Sequence, residues 1–295
     1  MVFCMQQSAK STISVDYQSD TGSDERPTSQ PAHTKIEANF KIARPPPKSS
    51  LRLSAKLLLQ IQQLAPHSRP VPVLEIWQPP LRKSKLTRDF HQRPKLRTGD
   101  IYATHDEPFI FSANLRKQST KSDSTDMSDI NPQNKEIVAA ICQPTSGADT
   151  VSVVHFRDSQ SCWHIDTSTT SPDGTPCYRF TIRDDDKPDP SLPGRMIMQW
   201  GKRNNTGKDN AQDEFILFLI DRQARRKSRI ATMTQTGLEI YVRKSSIIET
   251  LQTCLELTKP SSSSNGSARE ALETWLFTQV LTLAVWVSQQ EGWLN

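Results

Sequence analysis

The chain is short of almost everything that would name a chemistry. Cysteine is sparse: Cys4, Cys142, Cys162, Cys177 and Cys254 are odd in number, widely spaced and form no CxxC pair. That excludes a disulfide framework and fits a reducing compartment. Hydrophobic residues make up only 35% of the 295, aromatics 7%, and mean hydropathy is -0.60. So polar a composition predicts that part of the chain does not fold into the core. Met1 to Lys10 holds no apolar run long enough for a signal peptide, Val2 excludes myristoylation, and Trp293-Leu294-Asn295 carries no prenylation cysteine. These absences predict an intracellular protein, cytoplasmic or nuclear. There is no Walker loop, GxGxxG, HExxH or GxSxG. The expectation is therefore a non-enzymatic protein with no catalytic residues and no cofactor.

What is present is mainly β. Residues 1-44 are rich in Ser, Thr, Gln, Asp and Lys and read as a disordered N-terminal arm, which Pro45-Pro46-Pro47 closes as a stiff step. Residues 45-295 read as one β-rich domain, with mobile inserts near 79-100, 114-134 and 201-212. Leu53, Leu57, Leu58, Ile61 and Leu64 fall at helical spacing and predict a short helix ended by Pro66. Val71 to Trp77 reads as a strand that Pro72 restricts to a sheet edge. Phe109 to Phe111 is a short strand candidate. From residue 135 strand-length segments follow closely: 136-142, 150-156, 161-165, 177-182, 195-200, 214-220, 228-234 and 238-243. Turn clusters such as Pro172-Asp173-Gly174 separate them, and such short connections call for antiparallel pairing.

Two helices close the chain, Ser246 to about Leu257 and Ser267 to about Glu291. Ser267 and Glu270 form a capping box for the second. It is apolar all round, from Trp275 through Trp286 to Trp293, but Glu273, Gln279 and Thr282 interrupt the run and no basic cluster flanks it. Burial on all sides suits this pattern better than one sheet face or a membrane tail. The predicted fold is an antiparallel β-barrel, or a strongly curved sheet, around a buried hydrophobic C-terminal helix.

Two segments carry dense positive charge. Arg82, Lys83, Lys85, Arg88, Arg93, Lys95 and Arg97 are opposed only by Asp89, and Leu86 and Phe90 lie among them. Arg222, Arg225, Arg226 and Lys227 form a second knot, continued by Arg229, in a predicted hairpin. On a shared barrel rim they would make one anion-binding face, suited to anionic lipid headgroups or nucleic-acid phosphates. Apolar residues among the basic ones tilt this toward a membrane surface. Arg225-Arg226-Lys227-Ser228 also has the form of a basophilic kinase site. Cys162 and His164 share one face of a strand, and a turn bringing Cys177 alongside would create a partial metal or nucleophile site. Asp184-Asp185-Asp186 with Asp189 lacks the glycine and distal glutamate of a calcium loop and reads as an acidic turn.

Ala43-Arg-Pro-Pro-Pro-Lys48, Lys56-Leu-Leu-Leu-Gln-Ile-Gln-Gln-Leu64, Arg69-Pro-Val-Pro-Val-Leu74, Val138-Ala-Ala-Ile-Cys-Gln143 and Glu291-Gly-Trp293 resemble an uncharacterised family of filamentous-fungal proteins. The likeness covers about residues 43-295 and carries packing motifs. The layout also resembles the tubby C-terminal and phospholipid-scramblase type of barrel, which threads a hydrophobic C-terminal helix through closed strands. That resemblance implies a phosphoinositide- or lipid-facing protein at the membrane periphery. The sequence expectation is thus a binding module recognising anionic lipid headgroups. A nuclear, nucleic-acid-associated regulator is the alternative, and an enzyme of unknown class the second.

Overall fold

The computed structural model describes residues 35-45, 55-66, 68-80, 84-86, 90, 94-105, 137-144, 151-157, 159, 161-167, 174-183, 196-203, 213-221, 225-258 and 268-294. The expected strand at 109-111, the insert at 114-134, the acidic turn at 184-189 and the capping Ser267 lie outside them.

Twelve strands close into one antiparallel barrel: β1 (Ile36–Ala43), β2 (Lys56–Leu64), β3 (Val71–Gln78), β6 (Ile101–His105), β7 (Ile137–Cys142), β8 (Ser152–Phe156), β9 (Cys162–Asp166), β10 (Cys177–Arg183), β11 (Met196–Lys202), β12 (Phe215–Asp221), β13 (Arg226–Met233) and β14 (Gly237–Val242). The ring closes where β1 pairs with β14, Ile36 opposite Val242 and Lys41 opposite Gly237. Within the β3–β6 connection, β4 (Ser84–Lys85) and β5 (Lys95–Leu96) form a separate small hairpin. Helix α1 (Ser245–Thr258) follows β14, and α2 (Ala268–Gln290) ends the chain.

Alternation sorts the side chains. Ile36, Ala38 and Phe40 point inward from β1 while Glu37, Asn39 and Lys41 point out. The interior so lined is filled by α2, about 34 Å long at the usual rise. Leu276, Val280, Leu283 and Val287 on it are wholly buried. Arg269–Gln290 is long and apolar enough to span a bilayer, its most apolar 18 residues having mean hydropathy 1.2, yet 72% of those are buried within the protein. The expected core helix is therefore what the chain builds.

Contacts at its ends fix how α2 runs. Near its start, Arg269 Nη2 donates to the carbonyl of Lys35 at 2.6 Å, beside the beginning of β1. Beyond its end, Arg44 Nη2 donates to the carbonyl of Trp293 at 2.6 Å, just past the end of β1. The helix therefore runs parallel to β1, from an entry mouth where β1 begins to an exit mouth where β1 ends. It stops in a Schellman turn: Gly292 takes φ 71°, and Trp293 N donates to Ser288 O at 2.8 Å. That turn folds Trp293 back against Phe215, ring centroids 5.7 Å apart. The Glu291-Gly-Trp293 ending is thus a helix stop and a plug.

Four expectations need correction. Residues 36-43 are not part of a disordered arm; they form the strand that closes the barrel. The helix expected over 53-64 is instead β2, with register shifts between Leu57/Leu59 and Ile61/Gln62. β3 is not an edge, since β2 and β6 flank it; Pro72 is accommodated because pairing with β6 begins only at Leu74. Finally, the 79-100 insert is partly built into the fold. Leu86, Phe90 and Leu96 bury themselves against the outward-facing Trp77, Tyr102 and Ala140, forming a second small core outside the barrel. Trp77 Nε1 finds a partner there, donating to Thr104 Oγ1 at 3.2 Å.

Candidate functional site

In an antiparallel barrel successive connections alternate between the two mouths. The β3–β6 connection leaves at the exit mouth and the β12–β13 hairpin turns at the entry mouth. The two basic segments therefore lie at opposite ends of the barrel. Of the first, Arg82, Lys83, Arg88, Arg93 and the side chain of Lys85 are outside the described residues; Lys95 and Arg97 are exposed. Arg97 is tied to the exit mouth through its backbone. Its N–H donates to Asp100 Oδ2 at 2.6 Å, and Gln143 N donates to Asp100 Oδ1 at 2.8 Å. Gln143 in turn donates to Gln289 Oε1 at 3.0 Å, near the end of α2. Burial pushes the Asp100 carboxyl above its usual range, and the two backbone donors pull against that rise. Leu86 and Phe90 are 5% and 2% exposed. They belong to the second core, so they lend no support to membrane insertion of this segment.

The second segment differs in kind. Arg222 is outside the described residues, while Arg225, Arg226 and Lys227 are exposed at the hairpin. Arg225 takes φ 50°, a left-handed turn conformation uncommon for a side-chain-bearing residue. Two rings organise its neighbours: Lys227 Nζ sits 4.1 Å from the Phe218 centroid, and the Arg229 guanidinium 5.1 Å from that of Tyr241. Arg226 reaches the start of α1, donating to Ser246 Oγ at 3.2 Å. Arg243 and Lys244, at the junction of β14 and α1, are exposed on the same mouth, Arg243 pairing with Glu37 at 2.9 Å. Sequence reasoning missed these two. Alternation along β14 puts Arg243 on the outside, but only barrel closure puts it at the mouth where the β12–β13 hairpin turns.

The remaining candidates do not assemble. Cys162 Sγ and His164 Nε2 are 3.4 Å apart, but Cys162 is only 2% exposed. Cys162 faces Arg183 across the β9–β10 ladder, whereas Cys177 lies at the far end of β10 opposite Gly201. Those six residues of strand correspond to about 20 Å, so the turn does not bring the thiols together. Among the described residues no group of three or more His, Cys, Asp or Glu is placed to hold a metal ion. Ser228 is half-buried within the β12–β13 ladder opposite Leu219, a poor substrate for a kinase that needs an extended, accessible segment.

Comparison with known proteins finds no matching family model, no matching curated protein and no matching solved structure.

Proposed function

We propose that the protein is a non-enzymatic binding module that recognises anionic lipid headgroups through the face around its entry mouth. One observation carries this reading. Five exposed cations from two separate parts of the chain, Arg225, Arg226 and Lys227 with Arg243 and Lys244, share one end of the barrel. The α1 start between them has no acidic residue in its first turn. Of the five, Arg243 is paired with Glu37, which offsets one charge, and Arg226 is held by Ser246 with Asp221 opposite it in the ladder, so the face keeps a net positive charge. Near an anionic membrane surface each basic residue contributes about 1 kcal/mol. The layout that the tubby-type resemblance implied, a threaded C-terminal helix in a closed barrel, is consistent with this role. The exit-mouth cations are a separate feature and are not part of the proposed face.

Co-sedimentation with neutral and phosphoinositide-containing liposomes tests the reading at physiological salt. The expected result is binding to the anionic vesicles only, reduced at least about tenfold by R225E/R226E/K227E and unchanged by K95E/R97E. Absence of binding to either vesicle, or loss on reversing the exit-mouth pair alone, would overturn it. Binding to duplex DNA or RNA instead, with steep salt dependence, would point to the nucleic-acid reading.

A further inference from the structure

The two sides of α2 are unlike. On one, Leu281, Ala284, Val285 and Ser288 lie against Ile42, Leu59, Ile61 and Leu238 around a small apolar cavity. On the other, Trp275, Gln279, Thr282, Trp286 and Gln289 follow one another at steps of four, three, four and three residues, a single stripe of the helix. Neighbouring contacts show what this stripe faces. Thr278 Oγ1 lies 3.4 Å from His105 Nε2 on β6, and Gln289 meets Gln143 just past β7. The Trp286 ring stands edge-on to Phe180 of β10 at 5.7 Å. The stripe therefore looks onto the wall running from β6 to β10.

Along it, four polar atoms have no hydrogen-bond partner among the described residues. Trp275 Nε1, Gln279 Oε1, Thr282 Oγ1 and Trp286 Nε1 are sealed and make no hydrogen bond, as is Trp200 Nε1 on the neighbouring wall strand β11. Gln279 is 4% exposed, Trp286 1%, and Thr282 and Trp200 not at all. The composition of this set is informative. The three indoles can only donate, while the amide oxygen accepts and the hydroxyl can do both. A ligand that satisfies them must accept from the first group and donate to the second. Buried water does both, and folded proteins hold about one such molecule per 27 residues.

We propose that a hydrated seam runs inside the barrel along this stripe of α2, with bound water bridging the indole donors to Gln279 and Thr282. It ends at the exit mouth on an existing polar chain, where Ser152 Oγ donates to Gln143 Oε1 at 3.3 Å and Gln143 donates to Gln289. The helix is thus packed dry on the β1–β2–β14 side and wet on the other. A dry seam would leave several buried polar groups unsatisfied at once, which native interiors rarely do.

Water-to-protein cross-relaxation on the isotope-labelled full chain reads this directly, because Trp200, Trp275 and Trp286 each give a resolvable indole N–H signal. The seam predicts cross-peaks from long-lived water to the Trp200 and Trp286 indoles, weakened in Thr282→Val. It also predicts that Thr282→Val and Gln279→Leu lower Tm by roughly 2–5 °C, because each deprives bound water of a partner. Absence of cross-relaxation in the unmodified protein would overturn the proposal, whatever the variants do. A rise in Tm on Thr282→Val would do the same, since it is the sign expected for removing a dry, unpaired hydroxyl.

Discussion

His105 shows how a single inward-facing polar residue sets an acid limit on the barrel. It lies beside Thr278 of the threaded helix, and burial lowers its pKa from 6.5 to about 4. The unfolded chain therefore takes up this proton before the folded one as pH falls. The stability tied to neutral His105 is complete above pH 6.5 and is lost progressively toward pH 4, a change on the order of 3 kcal/mol. Urea unfolding at pH 7, 5.5 and 4.5 should show that decline, and His105→Gln should flatten it. Gly237 is a second decisive residue. A Cβ there would stand 2.9 Å from the backbone carbonyl of Phe40, which cannot move without breaking the β1–β14 seam. Gly237→Ala should cost about 1–3 kcal/mol, measured by thermal or chemical unfolding. Neither role is legible in the sequence, where a histidine after Tyr-Ala-Thr and a glycine in a turn look ordinary. Both arise from neighbours distant along the chain. The Cys162 and His164 pair was legible because strand alternation alone joins them; the Cys177 relation was not, because it depends on where β10 begins relative to β9.

The strands from β7 to β14 and both helices were readable because each carries its own local signal, alternation or an apolar run bounded by turn residues. β2 was not. A bulge between Leu57 and Leu59 sends Leu57 outward beside Trp77 and Leu59 inward beside Ile76, and a second shift follows at Ile61/Gln62. Two such shifts within nine residues stretch a period of two until the leucines fall at helical spacing. β6 escaped for a different reason. Its outward Tyr102 is covered by Leu86, Phe90 and Leu96, so Ile101 to His105 shows no polar alternation. α2 is the element on which the others depend. Inward-facing groups such as Phe40, Phe180 and Leu217 have no other apolar surface on which to close. Ending the chain after residue 266 should therefore abolish cooperative unfolding and soluble expression, followed by circular dichroism and thermal melts.

For the whole molecule, the parity of an antiparallel barrel separates the exit-mouth cations from those of the entry mouth, and the lipid reading stands on the latter alone. That makes the liposome comparison of the two charge reversals a test of the topology as well as of the function. The amino-acid pattern by itself determined the β class, the antiparallel connections and a C-terminal helix too apolar to lie in water, because periodicity and hydrophobicity are local properties. Only the tertiary structure decided which residues close the barrel, which cations share a mouth, and which polar atoms of α2 are left facing the wall. Those depend on strand order and register, which come from the mutual packing of segments distant in sequence.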